Sequence, residues 1–445
     1  MRTHKNRLLV VLIVFVFSIC GGLAAEPTLK DDAYHYMPNN IDDKLYNEWW
    51  YFNGVSNDTQ FFFNYFLSDP DNITGLRKIQ AIALVLVDGM PPLLGIHSSR
   101  GFGGDRSNPI IDIDQNGFSA LNTSTYRIFG TASDTMSGTP IMWDLNYTVA
   151  VSSWFPMPVQ MHVGHLNGDW MKWLVYMPSA TVKGTIIIGN QTRSINAVGY
   201  HDHNWGRWAF NDARWNWAQV SSPEDGFSLT LGDVIGEQRN TILGIQHTGE
   251  IIKFSSSQVR LSYADFSLDQ LTSRTYPTAY KVEADNGDYM LNLTINVLKN
   301  VPLLVDYPKP MPSYIVFEQV SRFSGSLKPR NGAGYSFDRM GFSEYTTNKL
   351  HPIIGRVNAT DPANITITAT NERTGEVKTA DPSSSGWFSI DCDFADYLAS
   401  STAPWIANGD NVKVMAKDAA GDTNSSVAVA NLTTDRQDIG TIELR

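Results

Sequence analysis

Apolar and polar residues alternate along this chain in short runs bounded by turn residues, and beyond the first 25 positions no long stretch repeats with the 3.6-residue period of a helix. The clearest run places Val282 and Ala284 before Asn286-Gly287, then Tyr289, Leu291, Leu293, Ile295 and Val297 after it. Apolar positions every second residue on both sides of Asn-Gly predict a β-hairpin. A second hairpin is expected to turn at Gly189-Asn190, between Thr185–Ile188 and Ser194–Tyr200, and a third at Asn116-Gly117. Leu298 to Pro312 carries Pro302, Pro308, Pro310 and Pro312, which predicts a loop or edge crossing. Many short strands with regular turns make the fold class all-β, a sandwich or barrel.

The texture changes near His351-Pro352. Residues 352–445 hold few aromatics and many Thr, Ala, Asp and Asn. Ile365, Ile367 and Ala369 precede a turn around Asn371–Gly375; Val412, Val414 and Ala416 precede one at Ala420-Gly421. This pattern resembles a small Ig-like or carboxypeptidase-regulatory-like β-sandwich module.

The segment 1–25 combines Arg2, Lys5 and Arg7, an apolar run from Leu8 to Ile19, and the small residues Gly21, Gly22, Ala24 and Ala25. That order reads as a secretory signal peptide. A retained N-terminal membrane anchor stays open, because Leu8–Ala25 is near the lower length for a span. The protein is therefore expected to be secreted or held at the cell surface, with membrane-surface or cell-envelope association open. Cleavage would remove three basic residues and take the net charge from −11 to about −14. Such an acidic chain argues against nucleic acid as a partner. Cys20 and Cys392 are the two cysteines, and the first lies in the signal, so neither a disulfide framework nor a cysteine-rich zinc site is expected. Ten N-x-[ST] sequons fit an exported glycoprotein surface. Ten of the twelve Trp precede residue 218, which fits a large core or a pocket for a greasy ligand.

Three segments can carry chemistry: Asn47-Glu48-Trp49-Trp50-Tyr51-Phe52-Asn53-Gly54; Gly199-Tyr200-His201-Asp202-His203-Asn204-Trp205-Gly206 with Trp208, Trp215 and Trp217; and Met340-Gly341-Phe342-Ser343-Glu344-Tyr345. Their order and spacing resemble the hydroxyneurosporene synthase (carotenoid hydratase) family across roughly residues 30 to 350. The resemblance implies two lipocalin-like β-barrels, here 30–207 and 208–350, ahead of the 352–445 module, with a ligand pocket at or near their interface. Related proteins include carotenoid hydratases, secreted proteins of unassigned activity and fungal pericyclases, so the resemblance implies the fold more firmly than the reaction.

If Tyr200–Trp205 is a strand, His201, His203 and Trp205 share one face and Tyr200, Asp202 and Asn204 the other, so only one set faces a pocket. Hydrating a trisubstituted alkene needs a proton donor, a cavity that stabilises a carbocation, and a placed water. A carboxyl desolvated in an apolar pocket can stay protonated. Asp202 is assigned as that acid, oriented by Tyr200, with His201 or His203 taking a proton from water. Trp205, Trp50, Tyr51, Glu48, Trp208, Trp217 and Glu344 are assigned to the ligand site, the tryptophans offering cation–π attraction. Two other readings of the motif stay open. The Asp and His side chains could tie a domain junction through buried hydrogen bonds, and His201 and His203 could join His162 and His165 around zinc. Glu344 could equally pair with Arg207, Arg214 or Arg339. No serine nucleophile elbow, phosphate loop or dinucleotide fingerprint occurs, so no cofactor is expected. The expectation is an exported, cofactor-independent protein that hydrates, cyclises or isomerises a hydrophobic isoprenoid, polyene or lipid. The alternatives are a non-catalytic carrier of such a ligand and a cell-envelope scaffold.

Overall fold

The computed structural model describes residues 26–37 and 46–444, with breaks at 74, 76, 157–159, 164–168, 209–212, 237–238, 273, 306–312, 350–352, 391–405, 407–408 and 431–436. The expected signal segment 1–25, Cys392 and His165 thus lie outside the described residues. The described chain is all-β, with 3-10 turns as its helical elements. Residues 46–207 form a twelve-stranded antiparallel sheet and residues 214–349 a nine-stranded one, each curled into a half-barrel. Residues 353–443 form a three-stranded and a four-stranded sheet that share one core, a β-sandwich region.

The period-2 pattern explains how the two large sheets meet. Along strand Tyr46–Val55, Trp50 and Phe52 point into the first curl, while Tyr51 and the partly buried Trp49 point toward the second sheet. Strand Gln191–Arg207 is buried at every position from Tyr200 to Gly206. Both faces of these strands are covered, so their burial runs are continuous rather than alternating. The layer between the sheets contains Tyr51, Phe62, Leu84, Trp154, Trp173, Tyr200, Trp217, Val320 and Phe342. Each large apolar side chain buried there contributes about 1.5–3 kcal/mol.

Close approach depends on two glycines. A Cβ at Gly232 would lie 2.6 Å from the Trp173 ring, and one at Gly244 would lie 2.3 Å from the Trp154 ring. Two bare backbone positions on the second sheet thus receive two tryptophans of the first.

The hairpins at Asn286-Gly287 and Gly189-Asn190 form: Ala284 pairs Leu291, and Ile188 pairs Gln191. Gly287 and Gly189 adopt φ of +95° and +58°, as these turns require. The third turn falls at Asp114-Gln115 instead, with Ile113 paired to Asn116. Asn116 is in the strand because its side-chain oxygen accepts from Thr131 N at 2.6 Å. Gly117 is a close-approach residue, since a Cβ there would meet Ile111 O at 2.1 Å. Leu298–Val305 is also strand, not loop. Its pairing with the preceding hairpin strand ends at Asn296, so Pro302 pairs Phe317 on one side and needs no donor on the other.

Candidate functional site

A cavity of about 790 Å³ lies between the two large sheets, within the range of roughly 300–1,000 Å³ usual for small-molecule sites. Its walls are mainly apolar and aromatic: Trp49, Tyr51, Phe62, Phe66, Trp173, Trp215 and Trp217. Four carboxyl residues and Lys78 also line it: Asp134, which accepts from Leu94 N and Ser137, and the trio Asp202, Glu318 and Glu344.

Alternation along Tyr200–Trp205 sends Asp202 and Asn204 to this cavity. Asp202 Oδ2 accepts from Trp173 Nε1 and from the Tyr200 hydroxyl, each at 2.8 Å, and Asn204 Nδ2 donates to Oδ1 at 3.3 Å. Burial raises the Asp202 carboxyl to about 7, against the pull of the Trp173 and Tyr200 hydrogen bonds. Glu318 and Glu344 are direct cross-strand partners on strands Ser313–Pro329 and Tyr335–Lys349, so their side chains stand side by side. The Tyr51 hydroxyl crosses between the sheets to donate to Glu318 Oε1 at 2.7 Å, and Trp215 Nε1 donates to Glu344 Oε2 at 2.6 Å. Burial, then the neighbouring Glu344 charge, push Glu318 well above the ordinary carboxyl range. Burial likewise lifts Glu344 to about 7 against the Trp215 and Glu318 hydrogen bonds. No lysine or arginine pairs with any of the three among the described residues. Two adjacent carboxyls without a cation are best accommodated by sharing one proton.

Of the residues singled out in the sequence, the structure brings Asp202, Tyr51, Trp217 and Glu344 to the cavity, with Tyr200 bonded directly to Asp202. It does not bring His201, His203, Trp205, Trp50 or Glu48 there. These face the interior of the first curl, on the other side of the sheet. His201 Nε2 meets Asp32 Oδ2 at 2.9 Å and its Nδ1 meets Tyr51 O at 2.9 Å. His203 Nε2 meets Glu48 Oε1 at 3.0 Å, while its Nδ1 lies 3.4 Å from Asp32 Oδ1, an ion contact outside hydrogen-bond geometry. The Trp50 indole donates to Asp32 O at 2.9 Å, and Trp205 stacks on His35 at 4.0 Å between centroids. Trp208 is buried in a separate cluster with Met161, Met171 and Val234. Glu344 bonds Trp215 and Glu318, not Arg207, Arg214 or Arg339; Arg339 reaches Asp225 and Arg207 approaches Asp169. His162 is exposed while His201 and His203 are fully buried, and among the described residues no group of three or more His, Cys, Asp or Glu side chains is arranged to hold a metal.

Glu318 and Trp173 carry no motif and were not anticipated. A signal for Glu318 does exist: Tyr314, Val316 and Val320 mark one apolar face of an alternating strand, and Glu318 interrupts it.

No protein-family model and no curated protein matches the sequence. Among solved structures, the chain is similar to a Nitrosomonas europaea protein given the provisional name AttH, at 16% identity and a TM-score of 0.53, over 72% of this chain and 95% of that one. It is also similar to kievitone hydratase from Nectria haematococca, at 12% identity and a TM-score of 0.50, over 73% and 96% of the two chains. At these identities the likeness is one of fold.

Proposed function

We propose that this protein is an acid–base enzyme that protonates an alkene in a hydrophobic, isoprenoid- or polyene-type ligand, with hydration as the primary outcome. The observation that carries the reading is the convergence of three cation-free carboxyls, from two different sheets, on one aromatic cavity. A carrier needs greasy walls alone, and burying three unpaired acids would only weaken it. Both the fold likeness to a hydratase and the motif resemblance to carotenoid hydratases point the same way.

The chemistry follows from the placement. Protonated Asp202 transfers its proton to the less substituted alkene carbon, and the C=C π electrons form that C–H bond. The cation left on the other carbon is held against the Trp49, Trp173, Trp215 and Trp217 rings, where cation–π attraction is worth about 2 kcal/mol or more when desolvated. Water adds its oxygen to the cation. Its proton passes to Glu344, the less tightly protonated member of the glutamate pair. Solvent exchange then returns the proton to Asp202, and the net change is addition of one water. If no water reaches the cation, loss of a different proton gives isomerisation, and attack by a second alkene gives cyclisation. Leu271 and Met136, 73% and 94% exposed at the cavity mouth, suit entry of an apolar ligand from a lipid phase. This is consistent with an exported protein working at a membrane surface.

The test is incubation with a panel of isoprenoid alkenes, polyenes and kievitone in D2O, read by mass spectrometry for deuterium in recovered or hydrated product. Wild type is expected to incorporate deuterium into at least one substrate. Asp202→Asn and Glu344→Gln should each reduce the rate at least 100-fold, the lower end expected for loss of a general acid or base. Because the donor must be protonated, the rate should fall as pH rises through about 7. Ligand recovered unchanged and undeuterated across the panel, yet bound, would replace this reading with the carrier.

A further inference from the structure

One amide side chain in the cavity wall makes no hydrogen bond among the described residues and has no task in that mechanism. Asn64 is on strand Thr59–Ser68, between Phe62 and Phe66 on the same face, and lines the cavity with them. Its Oδ1 is buried and has no hydrogen-bond partner. Its lateral neighbours are Tyr51 on one strand and Ile82 on the other. Asp202 is the residue directly opposite Tyr51 on the next strand over. Asp202, Tyr51 and Asn64 thus form one row across the sheet, and at about 4.8 Å per strand Asn64 stands roughly 10 Å from the acid.

A buried amide oxygen with no donor is unfavourable in the free protein, and a leucine of similar size would avoid that cost at this half-buried position. The wall's other amides each make at least one hydrogen bond: Asn204 donates to Asp202, Gln80 to Ser98, Asn216 Nδ2 to Asp233 although its Oδ1 also lacks a partner, and Asn300 Oδ1 accepts from Gln319. Asn64 differs in making no side-chain hydrogen bond among the described residues, and it lines the space a ligand would fill.

We propose that Asn64 is a specificity-determining residue that hydrogen-bonds an oxygen function, a hydroxyl or carbonyl, on an otherwise apolar substrate, roughly 10 Å from the alkene carbon that Asp202 addresses. The inference rests on the acid-lined cavity being the substrate site and narrows its substrate class. An oxygenated isoprenoid or prenylated phenol satisfies the amide. A pure hydrocarbon polyene leaves it unmet and is discriminated against, as sites built around a polar group reject analogues lacking it.

The experiment titrates the full chain with farnesol and with farnesene, which share a skeleton and differ by the hydroxyl. Binding is followed by quenching of the cavity tryptophans, in wild type and Asn64→Leu, with thermal melts confirming that both are folded. Wild type is expected to bind the alcohol about tenfold more tightly than the hydrocarbon, the effect of one hydrogen bond to a buried group. Asn64→Leu should erase that preference while binding farnesene at least as well as wild type. Equal affinities in wild type, or a preference that survives Asn64→Leu, overturn the inference and leave the acid-lined cavity standing. Binding of neither compound overturns both.

Discussion

A carboxyl kept neutral by its surroundings destabilises the protein that holds it, and Asp202 allows that effect to be measured. The free carboxyl titrates at 3.8 and the folded one at about 7. Folding therefore holds the proton more tightly than unfolding does. The sign follows: stability is greatest below 3.8, falls as pH rises, and has lost the full amount above about 7. Three units correspond to a few kcal/mol. Asp202→Asn keeps an oxygen for Trp173 and Tyr200 and removes the titration. We expect it to raise stability by about 2–4 kcal/mol at pH 8 and to change it much less at pH 4, measured by urea unfolding at both values. A loss of stability at pH 8 would mean that the carboxylate is compensated by a group other than those described. Activity and stability trade against each other at this residue, as expected of a catalytic acid.

At the scale of elements, the question is what brings an acid from one sheet opposite a pair from another. The Trp173 indole does two things: its N–H holds Asp202, and its ring rests on the bare backbone of Gly232. Gly232→Ala would push a methyl group within 2.6 Å of that ring, which lies in a packed layer and cannot yield freely. The expected outcome is a destabilisation of about 1–3 kcal/mol together with a rate loss of at least tenfold, because the ring must leave Asp202 to make room. Urea unfolding and the deuterium assay read the two effects separately. Retention of full rate would show that Trp173 does not position the acid. This level was only partly legible in the sequence. The alternation of Tyr200–Trp205 correctly separated two faces, because a strand leaves a side chain no third direction. Which face met the cavity could not be read, since both faces are buried and both carry titratable groups. Glu318 was hidden for a related reason: its partner Glu344 is 26 positions away, and only the register of a long hairpin sets them side by side. Gly232 and Trp173 become a pair only when two sheets dock, which no local pattern records.

At the scale of the whole molecule, two regions compete for a ligand: the interior of the first curl and the gap between the sheets. The first is filled from within. The N-terminal turn Leu29–Asp32 places Asp32 against His201 and His203, and the following residues put His35 N on Glu48 Oε1 at 2.9 Å and stack the His35 ring on Trp205. Burial alone would raise the Asp32 carboxyl. The attraction and hydrogen bonds of His201 and His203 outweigh it and hold the group at about 2. Burial would lower His203, but the contact with Asp32 and the hydrogen bond to Glu48 outweigh that and raise it above 6.5. The Asp32 contribution is present above 3.8 and lost as pH falls through about 2; the His203 contribution is complete below 6.5 and lost as pH rises through its raised value. The segment is thus held most firmly between roughly pH 4 and 6.5. Asp32→Asn leaves buried His201 without its carboxylate partner and His203 with Glu48 alone, and is expected to cost about 3–5 kcal/mol at pH 6. No residue of this network lines the cavity between the sheets. Farnesol affinity, measured at a temperature where the variant is still folded, should therefore change less than twofold. A large loss of affinity alongside intact folding would move the binding space into the first curl and return His201 and His203 to the site. An unchanged affinity would fix them as the anchor that closes the first curl and leaves the gap between the sheets as the space open to a substrate.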